Sequence, residues 1–231
     1  MLIDLFRRIY YFNLRSLLFN FYYLPFKQAI KFPITISRKV KIRDMSKNNS
    51  KKRFVLNAEK ISPCMIKIGF DGCGFIDFKY ERTFIELSKN GQIIFRGNCF
   101  IGSASKLGIT ENAKLDLGTN CSFTGKTKIF ANENIQFGSN SLIAWDTMFL
   151  TSDFHKIIYD GNVCNSDSGI IIKENTWICS NVTILKGSQV PANSVVVSGT
   201  IFNKKMEEEN CLYGNRGGAV SVLKSGIRWS K

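Results

Sequence analysis

The sequence predicts a mainly β chain wound into a parallel β-helix, a solenoid of short coils, and two observations carry that reading. An aliphatic or aromatic residue occupies every sixth position from Ile172 to Phe202, through Ile178, Ile184, Val190 and Val196. The same beat runs through Phe95, Ile101 and Leu107, then Leu117, Phe123, Ile129 and Ile135, and again Phe137, Ile143 and Phe149. A period of six fits neither a helix at 3.6 residues per turn nor a simple pleated strand, and it is a signature of coils that bury one side chain per short strand. The chain has 231 residues, of which 44% are hydrophobic and 13% aromatic. That is ample for a solenoid core and argues against disorder.

The N-terminal quarter differs from the rest. Residues 1–60 carry 14 Lys and Arg against 3 Asp and Glu, a balance of +11, which leaves only +3 of the chain's +14 to the other 171 residues. Phe6, Tyr10, Tyr11, Phe12, Phe19, Phe21, Tyr22, Tyr23, Phe26 and Phe32 interleave with Arg7, Arg8, Arg15, Lys27 and Lys31. Residues 2–23 lack proline and glycine and read as one or two amphipathic helices ending near Tyr23-Leu24-Pro25, since proline disfavours a helical residue before it. Charges recur too often for this segment to span a bilayer. Two readings of residues 1–33 stay open: packing on the end of the solenoid or on a neighbouring subunit, or peripheral contact with a membrane or a lipid-linked substrate. Nucleic acid is not expected, because no stacking-platform motif accompanies the basic residues. The polar run from Lys39 to Lys60 reads as a solvated loop or edge hairpin.

The coils are expected to begin near Met65-Ile66-Lys67-Ile68-Gly69-Phe70. The pairs Ile101-Gly102, Leu107-Gly108, Leu117-Gly118 and Phe137-Gly138 suggest strand ends where glycine accepts the backbone angles of a corner. Asn98, Asn120, Asn140, Asn175, Asn181 and Asn193 fall at the same places, and asparagine tolerates left-handed geometry better than most residues. The chain therefore divides into a basic aromatic extension over 1–60, the solenoid over 61–206 with a loop extruded near 151–168, and a short tail over 207–231.

Seven cysteines form no C-x-x-C pair, and there is one histidine. A Cys/His zinc site is not expected, and the cysteines read as reduced thiols of a cytosolic protein. No signal-peptide pattern is visible at the N-terminus, so the expected location is cytoplasmic, with the inner face of the membrane as the alternative.

The stretch Gly169-Ile-Ile-Ile-Lys-Glu-Asn-Thr-Trp-Ile-Cys-Ser-Asn-Val-Thr-Ile-Leu-Lys-Gly187, preceded by Thr151-Ser-Asp-Phe-His155, resembles the hexapeptide-repeat acyltransferases, most of all the O-acetyltransferases of bacterial surface polysaccharides. The resemblance covers about residues 65–218 and is strongest over 151–199. It implies a left-handed β-helix with three hexads per coil, so that Ile172 and Val190 stack one coil apart. It further implies a homotrimer, with acetyl-CoA as the acetyl donor lying between adjacent prisms, and a saccharide as the acceptor.

His155 interrupts the hexads in a polar stretch. Imidazole titrates near neutrality, which suits a base that takes the proton of an attacking sugar hydroxyl and returns it to a departing thiol. By resemblance His155 is that general base. Asp153 is a candidate to orient the imidazole or to bind the acceptor, and a loop cap is its plain alternative. On the donor side the resemblance points to Trp177 beside the groove, to the backbone N–H of Ser180 facing the thioester carbonyl, and to Ser198-Gly199 along the pantetheine arm. It also places Lys204 and Lys205 near the coenzyme phosphates. Lys186 reads as a coil-corner lysine. Cys179, Val190-Pro191 and Gly214-Asn215-Arg216-Gly217 depart from the family pattern.

The expected function is thus O-acetylation of a saccharide in capsule or lipopolysaccharide biosynthesis. N-acetylation of a nucleotide-linked amino sugar is the alternative within enzymes, and a non-catalytic β-helix scaffold is the alternative outside them. A β-helical carbonic anhydrase is excluded by the single histidine, since it needs three zinc ligands of that kind.

Overall fold

The six-residue beat becomes three ladders of inward side chains. In the computed structural model, which describes residues 13–45, 50–77 and 79–230, parallel strands stack into sheets of nine, seven and six strands, visited in turn by each coil. The fold is a left-handed parallel β-helix.

In the nine-stranded sheet, Ile36, Ile68, Ile101, Phe123, Ile143, Ile178, Val196 and Tyr213 pair in direct register. The seven-stranded sheet aligns Ile85, Leu107, Ile129, Phe149, Ile184 and Phe202. The six-stranded sheet aligns Leu56, Phe95, Leu117, Phe137, Ile172 and Val190, so Ile172 and Val190 do stack one coil apart. The ladders meet on the axis, where Phe137 packs edge-on against Phe123 and Phe149 at 5.0 Å between centroids.

The corners are built from two chemistries. Asn120, Asn140, Asn175, Asn181 and Asn193 adopt positive φ, as expected, whereas Asn98 does not. Three of the four predicted glycines, Gly102, Gly118 and Gly138, are needed for a different reason from the one expected, whereas a Cβ on Gly108 would meet only the Phe130 ring, at 3.3 Å. None of Gly102, Gly108, Gly118 and Gly138 has positive φ. A Cβ on Gly102 would lie 2.2 Å from the Thr124 carbonyl oxygen, and one on Gly138 would lie 2.3 Å from the Glu174 nitrogen. Glycine lets the backbone of the next coil approach.

The solenoid begins earlier than the sequence suggests. Ile34–Ile36, Val40–Asp44 and Phe54–Leu56 form the first coil, pairing in parallel with Ile66–Phe70, Thr83–Leu87 and Gln92–Phe95. The segment 39–60 is therefore not simply a solvated loop, although residues 46–49 of its cationic run lie outside the described residues. The physical reason is Arg53, which is buried. Its guanidinium donates to the Asp44 carboxylate at 3.1 Å and to the Leu87 carbonyl at 2.9 Å, so a cation in a basic run faces inward.

Helix α1, Leu14–Tyr23, starts at Asn13, whose Oδ1 accepts from the Ser16 N–H, and ends where Pro25 was expected to stop it. The predicted helical residues 2–12 lie outside the described residues. Ser16, Phe19, Asn20 and Tyr23 form its buried face. Phe19 and Tyr23 cover the Phe54 ring at 4.9 and 4.7 Å. Burial of the Tyr23 phenol pushes its pKa up to about 12. Polar side chains meanwhile occupy the open edges of the first coil. Asn20 donates to the Ile34 carbonyl and accepts from its N–H, the Ser16 hydroxyl accepts from the Ile36 N–H, and Gln28 of the short helix α2, Phe26–Ala29, donates to the Leu56 carbonyl. Packing on the end of the solenoid is thus what the inner face of α1 does.

At the other end, Leu212–Arg216 extends the nine-stranded sheet and Ala219–Lys224 returns antiparallel to it. The predicted tail over 207–231 thus contributes two strands to the body.

Candidate active site

The hexad rhythm breaks between Met148–Leu150 in the seven-stranded sheet and Ile170–Ile172 in the six-stranded sheet. The intervening chain leaves the prism, as the sequence predicts. Its tip is a hairpin pairing Ile158–Tyr159 with Asn162–Val163 across Asp160-Gly161, both at positive φ. Its root is closed by Thr151, which is buried. The Thr151 hydroxyl accepts from the N–H groups of Asn132 and Glu133, and its carbonyl accepts from the Ser168 N–H at 3.2 Å.

His155 stands exposed on this loop, beside a cleft of about 610 Å³ lined by Phe130, Asn132, Phe154, Asn165 and Asp167. Phe154 before it holds a positive φ of 64°, costly for an aromatic residue, and its ring packs on Phe130 at 4.6 Å. Two residues that sequence reasoning did not assign to the site complete the support. Asn165 donates to the His155 carbonyl at 2.9 Å and to Asp153 at 2.8 Å, while its own Oδ1 accepts from the Ile157 N–H. Lys186, expected only as a corner lysine, donates to Asp153 at 2.5 Å and to the Asn165 carbonyl at 2.6 Å.

Asp153 thus points to Lys186 and Asn165, and no hydrogen bond joins it to the imidazole among the described residues. The Lys186 hydrogen bond, and after it that of Asn165, holds its carboxyl below the usual carboxylate range. It is an anion that secures the loop.

Of the donor-side candidates, Ser180 and Ser198-Gly199 share another corner. Ser180 and Ser198 occupy successive turns between the nine- and seven-stranded sheets, with their hydroxyls 3.2 Å apart, and the Gly199 N–H donates to the Ser180 carbonyl. The Ser180 N–H has no backbone acceptor among the described residues. Cys179 beside them is half-buried and burial pushes its thiol up, which keeps it neutral and a poor nucleophile. Trp177 projects from the outer face of the nine-stranded sheet, 36% exposed. It packs against Trp229 of the tail at 6.0 Å, whose indole N–H donates to the Asn175 carbonyl.

Lys204 and Lys205 fall on neither of these turns. They follow the strand Ile201–Phe202 on its way to the six-stranded sheet, where Lys205 bridges to Gln189, and so share the corner of the His155 loop. Within one prism the structure groups Asp153, His155, Lys186, Lys204 and Lys205 on one corner and Ser180, Ser198 and Gly199 on another, with Trp177 on the sheet leading to the second. Among the described residues no group of three or more His, Cys, Asp and Glu is placed to hold a metal.

No protein-family model matches the chain. Over 206 residues it is 29% identical to an uncharacterized 24.8 kDa protein in the cps region of Klebsiella pneumoniae, covering 89% of this chain and 85% of that one. It is 25% identical to the galactoside O-acetyltransferase of Lactococcus lactis subsp. lactis over 95 residues, 41% of this chain and 44% of that protein's length. Among solved structures it is similar to the polySia-specific acetyltransferase NeuO, with a TM-score of 0.54 and 23% identity over 84% of this chain and 90% of that one. The likeness to NeuO is one of fold.

Proposed function

We propose that this chain is an acyltransferase that moves an acetyl group from acetyl-CoA to a hydroxyl of a saccharide, with His155 as general base. The observation that carries the reading is the presentation of the chain's one histidine on an extruded loop whose root and limbs are hydrogen-bonded by Thr151, Asn165 and Lys186. A merely decorative loop has no need of such anchoring. The similarity to a galactoside O-acetyltransferase and the fold shared with NeuO support the same chemistry.

Acetyl-CoA supplies a thioester, whose carbonyl carbon is the electrophile. His155 takes the proton of the acceptor hydroxyl as its oxygen bonds to that carbon. The N–H of Ser180 stabilises the negative charge that builds on the carbonyl oxygen. As the C–S bond breaks, the proton on His155 goes to the sulfur, leaving an O-acetyl sugar and a free thiol. Trp177, Ser198 and Gly199 would line the path of the donor, and Lys204 and Lys205 would meet its phosphates. Because the base and the oxyanion donor occupy different corners of one prism, a working site takes each from a different copy. That favours the homotrimer, in which every groove joins two prisms. A cytoplasmic site suits a donor made in that compartment.

The test is to incubate the purified protein with acetyl-CoA and candidate saccharides and to read the products by mass spectrometry. The expected product gains one acetyl group on oxygen. His155→Ala should keep the fold and the oligomeric order while turnover falls about 10²- to 10⁴-fold. An acetyl group found on nitrogen, or a His155→Ala variant as active as the parent, would overturn the reading.

A further inference from the structure

The outer face of α1 is not used by the fold. Leu14, Leu18 and Tyr22 recur at the four-residue spacing of one helix stripe, opposite Ser16, Asn20 and Tyr23, which bond or pack onto the first coil. With Phe26 and Ile30 beyond the helix end they form an apolar patch in which every member is 48% to 69% exposed. Cations flank this patch, with Lys27 inside α2, Lys31 just beyond it and Lys51 at the end of α1, while Arg43 farther along pairs with Glu86. Residues 13–43 contain seven Lys and Arg and no Asp or Glu. Lys27, Lys31 and Lys52 form no ion pair among the described residues, and Lys51 donates to the Phe21 and Leu24 carbonyls at the end of α1. In the same region the Asp44 carboxylate is taken up by Arg53.

We propose that this end of the solenoid docks on an anionic bilayer surface, with the apolar stripe entering the interface and the lysines meeting lipid headgroups. The pattern of exposed Leu and aromatic side chains flanked by lysines is that of an interfacial helix, and the absence of acids on it supplies the charge complementarity. No helix among the described residues is long and apolar enough to cross a membrane, and the contact proposed for α1 is peripheral. The α1 face is rigidly presented because its inner side chains are bonded to the first coil. This inference is independent of the proposed chemistry and stands or falls without it.

The full chain is floated with vesicles of pure phosphatidylcholine and with vesicles containing 30% phosphatidylglycerol in a sucrose gradient. The protein should rise with the anionic vesicles about tenfold more than with the neutral ones, and 1 M NaCl should release it, because the Debye length then falls to about 3 Å. Leu14→Glu/Leu18→Glu removes the stripe at exposed positions. It should cut recovery about tenfold with circular dichroism and Tm unchanged. Lys27→Gln/Lys31→Gln should weaken binding to anionic vesicles and flatten its salt dependence. A parent protein that stays with the lipid-free fractions overturns the proposal. So does a Leu14→Glu/Leu18→Glu variant that floats like the parent, or one whose only change is a smaller assembly by light scattering, which would assign the face to a second copy of the chain.

Discussion

Lys186 Nζ lies 2.5 Å from the Asp153 carboxylate although 33 residues separate the two in sequence, and the same ammonium is 2.6 Å from the Asn165 carbonyl. One lysine on a regular coil therefore grips both limbs of the loop that carries His155. An ion pair of this kind at the surface adds little to global stability. Its value lies in fixing where the imidazole stands.

Lys186→Met should accordingly lower kcat/KM about 10- to 100-fold, the effect of letting a catalytic group drift by about 1 Å. Tm should move by no more than about 3 °C. Lys186→Arg retains a donor to Asp153 and should recover most of the activity. Differential scanning fluorimetry and steady-state kinetics on the three proteins check this. A large fall in Tm at unchanged kcat/KM would make Lys186 a structural residue only.

The Asp153 carboxyl gives the anchoring a pH dependence of defined sign. Its folded value is depressed, first by Lys186 and then by Asn165. The contribution is therefore complete above the ordinary carboxylate range and is lost as the pH falls through the depressed value. Hydrogen exchange of peptides covering 151–168, corrected for intrinsic rates, should show the loop loosening at acid pH. In Asp153→Asn the loop should be looser at neutral pH and its exchange should change little on acidification. Superimposable profiles for the two proteins would contradict the anchoring role.

How much of this was legible in the sequence follows from where the rhythm is clean. The hexads run without a break only from Ile172 to Phe202, so the stacking of Ile172 on Val190 could be read directly, whereas upstream the beat restarts after each longer corner. The first coil could not be read, because Ile36, Ile68 and Ile101 pair across gaps of 32 and 33 residues filled by corner insertions, which destroy the beat. Arg53 hides the same coil by looking solvated. His155 and Trp177 stood out through local motifs. Asn165, Lys186 and Trp229 did not, since each acts on a partner that only the winding of the coils brings near. The coil glycines were found at the correct positions, but their purpose depends on the neighbouring coil and so is invisible in one strand.

Gly138→Ala tests that purpose. The added methyl would lie 2.3 Å from the Glu174 nitrogen and 2.6 Å from the Lys173 carbonyl carbon, backbone atoms that no rotamer change can move. The cost is that of overpacking, about 1–3 kcal/mol, and Tm should fall by about 3–10 °C. Gly161→Ala is the contrasting change, since nothing lies within 4 Å of its Cβ position and only its φ of +73° opposes it. Its effect should stay near about 1 kcal/mol. Equal losses in the two variants would refute close approach as the reason for Gly138.

Asn20 offers the sharpest test of the N-terminal cap. Its side chain donates to the Ile34 carbonyl at 2.6 Å and accepts from the Ile34 N–H at 3.1 Å, and it is fully buried. It therefore stands in for the strand that the edge of the nine-stranded sheet lacks. Asn20→Ala leaves a buried donor and a buried acceptor unpaired, at about 1–3 kcal/mol each. Tm should fall by about 5–15 °C, and light scattering should show association as the edge becomes free to pair with another chain. Asn20→Asp keeps the acceptor for Ile34 N–H but cannot donate while ionised, so it should not restore the parent's stability. An Asn20→Ala protein that melts with the parent and stays dispersed would show that apolar contacts from Phe19 and Tyr23 alone close this end of the solenoid.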